Sequence, residues 1–505
     1  MSPYTGTRGD FLRKKLPIFY SALMLTGVNL LLRLVSTSFQ VYISGRIGAA
    51  GVGLLQLVLS VGAMAMTAGM AGVRTATMYL TARQLGIKKP GNVHWVLSGT
   101  YIYSLLCSGV ISFGLYIFAP AIATHWIDHP QTVGALRLYA CFLPLTCLCG
   151  MMTGYFTAAN RIGTLAAVEV FEQLLSMTAT MILLTLWAGT DPAKACQSII
   201  FGSGIATLFT LGSLVYLRMR EKAPIGPRIP VRRELLAAAV PLALGDNLKA
   251  GINTTENLMV PKRLRLYPGT ADPLAAFGMV CGMVFPVIMF PAAILFALAE
   301  LLIPELARCA AAESQVRIRY LAKRSLRFSM VYGCLACGLA FLLADSLCLW
   351  LYKSTEAAHY LRLYALLIPM LYCDAITDAM TKGLGQQAVC VRYNIITSAM
   401  DVAFLFLLLP KYGMLGYFFS FFVTHLINFI LSLRRLLKIA GNVFSFSCAF
   451  LCCIGTAGAI FIASHIHKPD LKAVGFVLLL GSLLYLLKVI SKEDALWIRG
   501  LLHKK

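Results

Sequence analysis

The sequence predicts an all-α polytopic membrane protein of fourteen transmembrane helices, two pseudo-symmetric six-helix lobes followed by two C-terminal helices. Three observations predict it. The 505 residues are 59% hydrophobic and only 13% charged, where a soluble domain carries about 25% charge. Apolar runs of about 20 residues, enough to span a bilayer, recur from residue 18 to residue 490. A five-residue motif returns in register after six of them.

The apolar segments run over 17–43, 49–79, 93–119, 134–159, 163–187, 195–217 and 235–258 in the first half. They continue over 273–298, 322–345, 358–381, 388–409, 413–437, 446–464 and 472–490. Arg13-Lys14-Lys15 ahead of the first run resembles a signal peptide. The run is too long and lacks a clear small-residue cleavage site, so it reads as a retained helix. The motif is Leu136-Arg137-Leu138-Tyr139-Ala140, which recurs as Leu361-Arg362-Leu363-Tyr364-Ala365 with Pro144 and Pro369 in the same register. The two copies open the fourth and tenth segments. Six helices separate them, an even number, so the halves share one orientation. That implies a pseudo-twofold axis along the membrane normal, with a site enclosed between the lobes. The expected organisation is a lobe at 1–217, a basic cytoplasmic linker at 218–234 carrying Pro224, Pro227 and Pro230, a second lobe at 235–437, and two helices with a cytoplasmic tail at 438–505.

The net charge of +23 suggests nucleic acid in a soluble protein. Here the cations lie mostly in short loops, where topology and anionic headgroups explain them without a nucleic-acid partner. With the N-terminus in the cytoplasm, 30 of the 44 Lys and Arg residues fall inside and 11 outside. Both termini are therefore expected in the cytoplasm of a multi-pass bacterial cell-membrane protein. Lys262, Arg263 and Arg265 fit this scheme poorly, which leaves the side of the 259–272 loop open. Fifteen cysteines lie mostly in apolar runs, and Cys334 and Cys337 have no second C-x-x-C at zinc-ribbon spacing. They read as small apolar packing residues, with no metal site.

Polar residues at membrane depth are costly and usually face a cavity or a partner. Here they form stripes at helical spacing. The first segment offers Asn29, Arg33, Ser36, Thr37 and Gln40, the fifth Glu169, Glu172, Gln173 and Ser176. The seventh offers Asp246, Lys249, Asn253 and Glu256, the tenth Asp374, Thr377, Asp378 and Thr381. Cations on a cavity wall bind anions, and Arg suits phosphate, so Arg33, Arg74 and Lys249 are candidate substrate contacts, with Asn29 and Gln40 beside them. Lys249 could instead pair with Asp246 one turn away, and Arg74 could snorkel to the surface. Glu169, Glu172, Asp246, Glu256, Asp374, Asp378 and Asp401 are candidates for coupling a proton or sodium ion. No G-x-x-x-x-G-K-[ST] motif is present, which argues against direct drive by ATP. Short outer loops leave no platform for a catalytic domain, so an enzyme is not expected. The sequon Asn253-Thr254-Thr255 lies inside an apolar segment.

The stretch Gly45-Arg46-Ile47-Gly48-Ala49-Ala50-Gly51-Val52-Gly53-Leu54-Leu55-Gln56 resembles the helix 1–2 turn of one known group. Gly72-Val73-Arg74-Thr75-Ala76 ahead of Ala82-Arg83-Gln84 resembles the end of helix 2 in the same group. With the helix count, these residues resemble the multidrug/oligosaccharidyl-lipid/polysaccharide (MOP) flippase superfamily. The likeness is to its polysaccharide-biosynthesis branch of sporulation proteins and lipid II flippases. That resemblance implies transport of a polyprenyl-pyrophosphate glycolipid across the cytoplasmic membrane by alternating access. It also implies a peptidoglycan or spore-cortex context, with cell-wall synthesis proteins as possible partners and no cofactor beyond a coupling proton or sodium ion. It further implies cavity arginines on helices 1, 2 and 8. Arg33 and Arg74 match the first two by helix. Arg263 or Arg265, just before the eighth segment, would stand in for the third. The rival readings are an ion-coupled multidrug exporter of the same superfamily and a membrane glycan polymerase or ligase.

Overall fold

The structure is a computed structural model that describes residues 8–487 and 489, apart from 88, 190, 221–225 and 228–229. All regular structure in it is helical. In chain order the helices are α1 (Arg8–Met70), α2 (Val73–Gly86), α3 (Val93–Ala121), α4 (Val133–Ala158), α5 (Ile162–Leu183) and α6 (Pro192–Met219). Then come α7 (Val231–Leu264), α8 (Pro273–Met279), α9 (Phe285–Ala311), α10 (Gln315–Leu342), α11 (Ala344–Tyr352) and α12 (Thr355–Ala365). The last are α13 (Ile368–Gly383), α14 (Gln387–Tyr412), α15 (Met414–Ala440), α16 (Phe446–Ser464) and α17 (Pro469–Leu486). Side chains at Asp191, Asp272, Ser354 and Ser445 cap the first turns of α6, α8, α12 and α16, satisfying N–H groups that have no partner inside a helix.

Within the described residues each expected apolar segment falls on one helix or on two in succession. Among the described residues, eleven spans are long and apolar enough to cross a membrane. The number is twelve if α12 and α13, bent by 54° from each other, form one span. The segments map onto these helices with local differences. The first two segments run together in α1, broken only at Gly48 (φ 69°, ψ 177°), a conformation that glycine alone adopts without strain. The seventh lies in α7 (Val231–Leu264). The two copies of the repeated motif also differ. α4 runs on through Pro144, whereas the second copy bends after Ala365 and resumes with Pro369 in the first turn of α13.

Packing divides the chain into two compact units, Met1–Phe39 with Leu54–Leu258, and Gln40–Gly53 with Met259–Lys505. The repeat-based division puts all of 235–437 in one lobe. It follows internal similarity, whereas these units follow contact, which is a different quantity.

In the first unit, α4 packs on α2, α3 and α6, and α5 on α6. One core joins Val73, Val93, Met151, Met152, Tyr155, Phe156, Leu165 and Leu214. A second joins Ala76, Leu80 and Val96 to Val231, Leu235 and Ala239 at the start of α7. The linker ahead of α7 is fastened to the α2–α3 turn. Trp95 Nε1 donates to the Gly226 carbonyl oxygen at 2.9 Å, and Gly226 N donates to Gly91 O at 3.0 Å. Arg83 and Glu234 add an ion pair at 3.0 Å, half-exposed and so worth little. Trp95→Phe removes the indole donor and is expected to cost about 1 kcal/mol, read as a lower thermal midpoint in detergent.

In the second unit α13 is central, packed on α9, α10 and α15. α16 and α17 pack on each other and on α10, around Cys334, Cys452, Ala459, Phe476 and Leu480. All fifteen cysteines are free thiols, and most are buried. A π-helical turn at Val280–Val284 followed by Pro286 interrupts the ladder between α8 and α9. There Gln40 Nε2 donates to Gly282 O at 3.2 Å, and Tyr352 donates to Met283 O at 3.0 Å. Large apolar side chains such as Phe113, Leu186 and Trp350 remain exposed, as expected of surfaces that meet lipid.

Candidate functional site

The first unit holds a cavity of about 610 Å³ between the Leu54–Met70 part of α1 and the 246–257 part of α7. Gln56, Ser60, Ala63 and Thr67 line one wall; Asp246, Lys249, Asn253 and Asn257 line the other. Both sets advance by three or four residues, which keeps each on one helix face.

The two helices are joined at both ends of this space. Near Ser60, Thr254 Oγ1 donates to the Ser60 carbonyl oxygen at 3.0 Å, and Asn257 Nδ2 donates to Ser60 Oγ at 2.9 Å. At the other end a Cβ on Gly72 would lie 2.5 Å from the Ala239 carbonyl oxygen. Twelve residues separate Ser60 from Gly72, roughly 18 Å of helix rise.

The Gly72 end carries Arg74. α1 stops at Met70, and Ala71 (φ 42°) and Gly72 (φ 72°) turn the chain into α2. Tyr103 steadies the turn by donating to Ala71 O at 3.2 Å. No side chain caps α2, so its first N–H groups lack a side-chain partner. Gly72, Arg74 and Thr75 line the cavity there, and Asp246 and Lys249 line it further along α7, seven and ten residues beyond Ala239. Arg74, Asp246 and Lys249 are all exposed. Among the described residues, no ion pair joins Asp246 to Lys249 or Arg74. A helix N-terminus beside Arg74, in a cavity that also holds Lys249, attracts anions, through the partial positive charge of the helix end and through charge-assisted hydrogen bonds.

The second unit holds a smaller cavity of about 180 Å³ lined by Asp374, Asp378, Asn394, His425 and Asn428. Asn428 Nδ2 donates to both oxygens of Asp374, at 2.9 and 3.1 Å, and His425 Nδ1 lies 3.4 Å from Asp374 Oδ2. Asp378 pairs with Lys382 at 2.6 Å. Asp378 Oδ1 and Asn428 Oδ1 are buried without a hydrogen-bond partner among the described residues. Asp401, on α14, accepts from Ser420 Oγ at 2.5 Å and Thr424 Oγ1 at 3.2 Å. Oxygen-rich and compact, the small cavity suits a proton or a hard monovalent cation. Among the described residues, no three His, Cys, Asp or Glu side chains stand close enough to chelate a metal.

No family model matches the sequence. Stage V sporulation protein B of Bacillus subtilis (strain 168) is a homologue, 21% identical over 418 residues, which are 78% of this chain and 78% of that one. An inward closed conformation of the lipid II flippase MurJ superposes with a TM-score of 0.65 at 10% identity, covering 95% of this chain and 100% of that one. An inward-facing multidrug resistance MATE family transporter of the MOP superfamily superposes with a TM-score of 0.64 at 14% identity, covering 83% and 99%. The chain has the MOP-superfamily fold.

In this MOP fold the candidate substrate residues separate. Arg74 and Lys249 meet in the large cavity. Arg33 is half-buried on α1 and is not among the residues lining it. The side chain of Asn29 lies outside the described residues. Gln40 belongs to the second unit and serves the Gly282 carbonyl. Arg263 also lies there, its guanidinium 3.3 Å above the Phe406 ring, with Arg265 exposed nearby. The carboxylates separate too. Asp246 joins the large cavity, and Asp374 and Asp378 the small one. Asp401 has its own hydroxyl cage. Glu169 and Glu172 are half-buried on α5, Glu169 within reach of the Arg74 charge. Glu256 is half-buried on α7, off the cavity wall.

Sequence reasoning missed Gln56, Ser60, Thr67, Thr75 and Asn257 in the MOP-fold cavity, and His425, Asn428, Ser420 and Thr424 around the buried carboxylates. One signal for the latter was present. Ser420, Thr424, Asn428 and Ser432 recur every four residues on α15, and all four are buried.

Proposed function

We propose that this protein is a flippase for a polyprenyl-diphosphate-linked oligosaccharide of the cell wall or spore cortex, acting by alternating access in the bacterial cytoplasmic membrane with both termini inside. The observation that carries it is the large cavity, whose wall includes the uncapped start of α2 and two cations, Arg74 and Lys249. A diphosphate cannot cross hydrocarbon unaided, because desolvating it costs far more than thermal energy supplies. In the cavity, fixed cations and N–H groups replace its water, while Gln56, Ser60, Thr67 and Asn253 offer the hydrogen bonds a sugar needs. The polyprenyl tail stays in the bilayer. A proton or sodium ion taken up at Asp374 and Asp378 would supply the driving force. The homology to a stage V sporulation protein and the shared fold of a lipid II flippase support this reading.

A second reading is an ion-coupled multidrug exporter, which the MATE likeness and the acidic cavity of the second unit favour. One assay separates the two. Purified protein in vesicles is given a polyprenyl-diphosphate disaccharide or a cationic dye, with and without a sodium or proton gradient, and headgroup exposure is read with an added glycan-modifying enzyme. Gradient-stimulated transfer of the glycolipid is the expected result. Dye transport without glycolipid transfer would establish the exporter instead.

A further inference from the structure

We propose that the cavity of the first unit takes an amphoteric headgroup, one that carries an ammonium group as well as its diphosphate, with Asp246 as the ammonium contact. This rests on the flippase reading and deepens it.

The charges in the cavity are two cations and one anion: Arg74, Lys249 and Asp246. Asp246 and Lys249 stand three residues apart on one face of α7, close enough to touch. They nevertheless form no ion pair, and both remain exposed in the cavity. For a purely anionic headgroup, Asp246 is a defect. A carboxylate within a turn of the phosphate-binding lysine repels the ligand, and the low dielectric of a membrane cavity strengthens the repulsion. Were the site built for diphosphate alone, asparagine would fill the same space without that penalty. A headgroup bearing an ammonium group turns the repulsion into a charge-assisted hydrogen bond. The neutral stretch from Asn253 to Gln56 then accommodates the rest of the sugar. Asp246 thereby acts as a specificity residue that favours amine-bearing over acylated headgroups.

The test compares two probes that differ by one acetyl group: polyprenyl-diphosphate-linked glucosamine and its N-acetylglucosamine counterpart, at mildly acidic pH. Wild type is expected to move the amine form at least about 10-fold more efficiently, the size of one charge-assisted hydrogen bond. Asp246→Asn is expected to lose that preference by slowing the amine form, with gel filtration and the thermal midpoint in detergent as the check that the variant is folded. Asp246→Glu should keep the preference. Equal transport of both probes by wild type overturns the proposal and leaves the flippase reading intact. Equal loss of both probes in Asp246→Asn also overturns it, and points to Asp246 as an ion carrier. Failure of wild type to move either probe overturns the flippase reading, and this proposal with it.

Discussion

Replacing Arg74 and Lys249 together by alanine is expected to slow glycolipid transfer by at least about 100-fold while leaving the protein folded. Each cation offers charge-assisted hydrogen bonds worth about 1.5–3 kcal/mol, and a factor of ten is 1.4 kcal/mol. Both side chains are exposed in the cavity, so their removal opens no void in a packed core, although Arg74→Ala also takes a cation from the half-buried Glu169. The single variants should not add up to the double, because both cations would hold one diphosphate. Arg74→Lys should recover only part of the loss, since an ammonium cannot offer the two parallel N–H groups of a guanidinium. The readout is the initial rate of headgroup exposure in vesicles, with gel filtration as the check on folding. Wild-type rates in the double variant would mean that the diphosphate is held elsewhere, with Arg33 the next residue to replace.

Gly278→Ala should unfold or strongly destabilise the second unit. A Cβ at Gly278 would lie 2.0 Å from the Ala49 carbonyl oxygen and 2.6 Å from Gly53 N. Facing it, a Cβ at Gly53 would lie 2.3 Å from Leu274 O. These neighbours are backbone, so no rotamer change relieves the clash. The helices would have to part, at a cost of about 3 kcal/mol or more. Small residues that allow backbones this close are a common means of packing membrane helices. Gly114→Ala is the control, because nothing lies within 4 Å of its Cβ position. Thermal midpoints in detergent should fall for Gly278→Ala and hold or rise for Gly114→Ala.

The helices and their order were legible because each apolar run is a direct statement about the solvent it meets. Cys448 and Cys452 could be assigned to packing for the same reason. The cavity was less legible. Arg74 was placed near one end of a single segment running over 49–79, which would leave it as an ordinary snorkelling residue. What gives it a role is the break at Ala71–Gly72, and hydropathy does not register a backbone turn between two small residues. Arg33 looked central because it lies mid-segment, yet depth along a helix says nothing about which side of it a cavity lies on. Lys249 was found because its stripe with Asp246 and Asn253 has helical spacing and nothing apolar to explain it. His425 and Asn428 were missed because polar residues on α15 are interspersed with phenylalanines, which made the helix read as uniformly apolar. Gln40 was misleading in another way. Its partner is a carbonyl oxygen 242 residues away, and only the interrupted ladder before Pro286 creates the need for it.

The segment 40–53 belongs by packing to a unit whose other residues begin at Met259. During synthesis it leaves the ribosome long before Gly278, the residue whose missing side chain makes room for it. At 5–20 residues per second the delay is roughly 10–45 s. Through that time its Ala49 and Gly53 backbone must wait in the membrane without the partner that will cover it. A gene fragment starting at residue 259 would meet the converse difficulty, because the fourteen residues that complete its packing are encoded more than two hundred codons upstream.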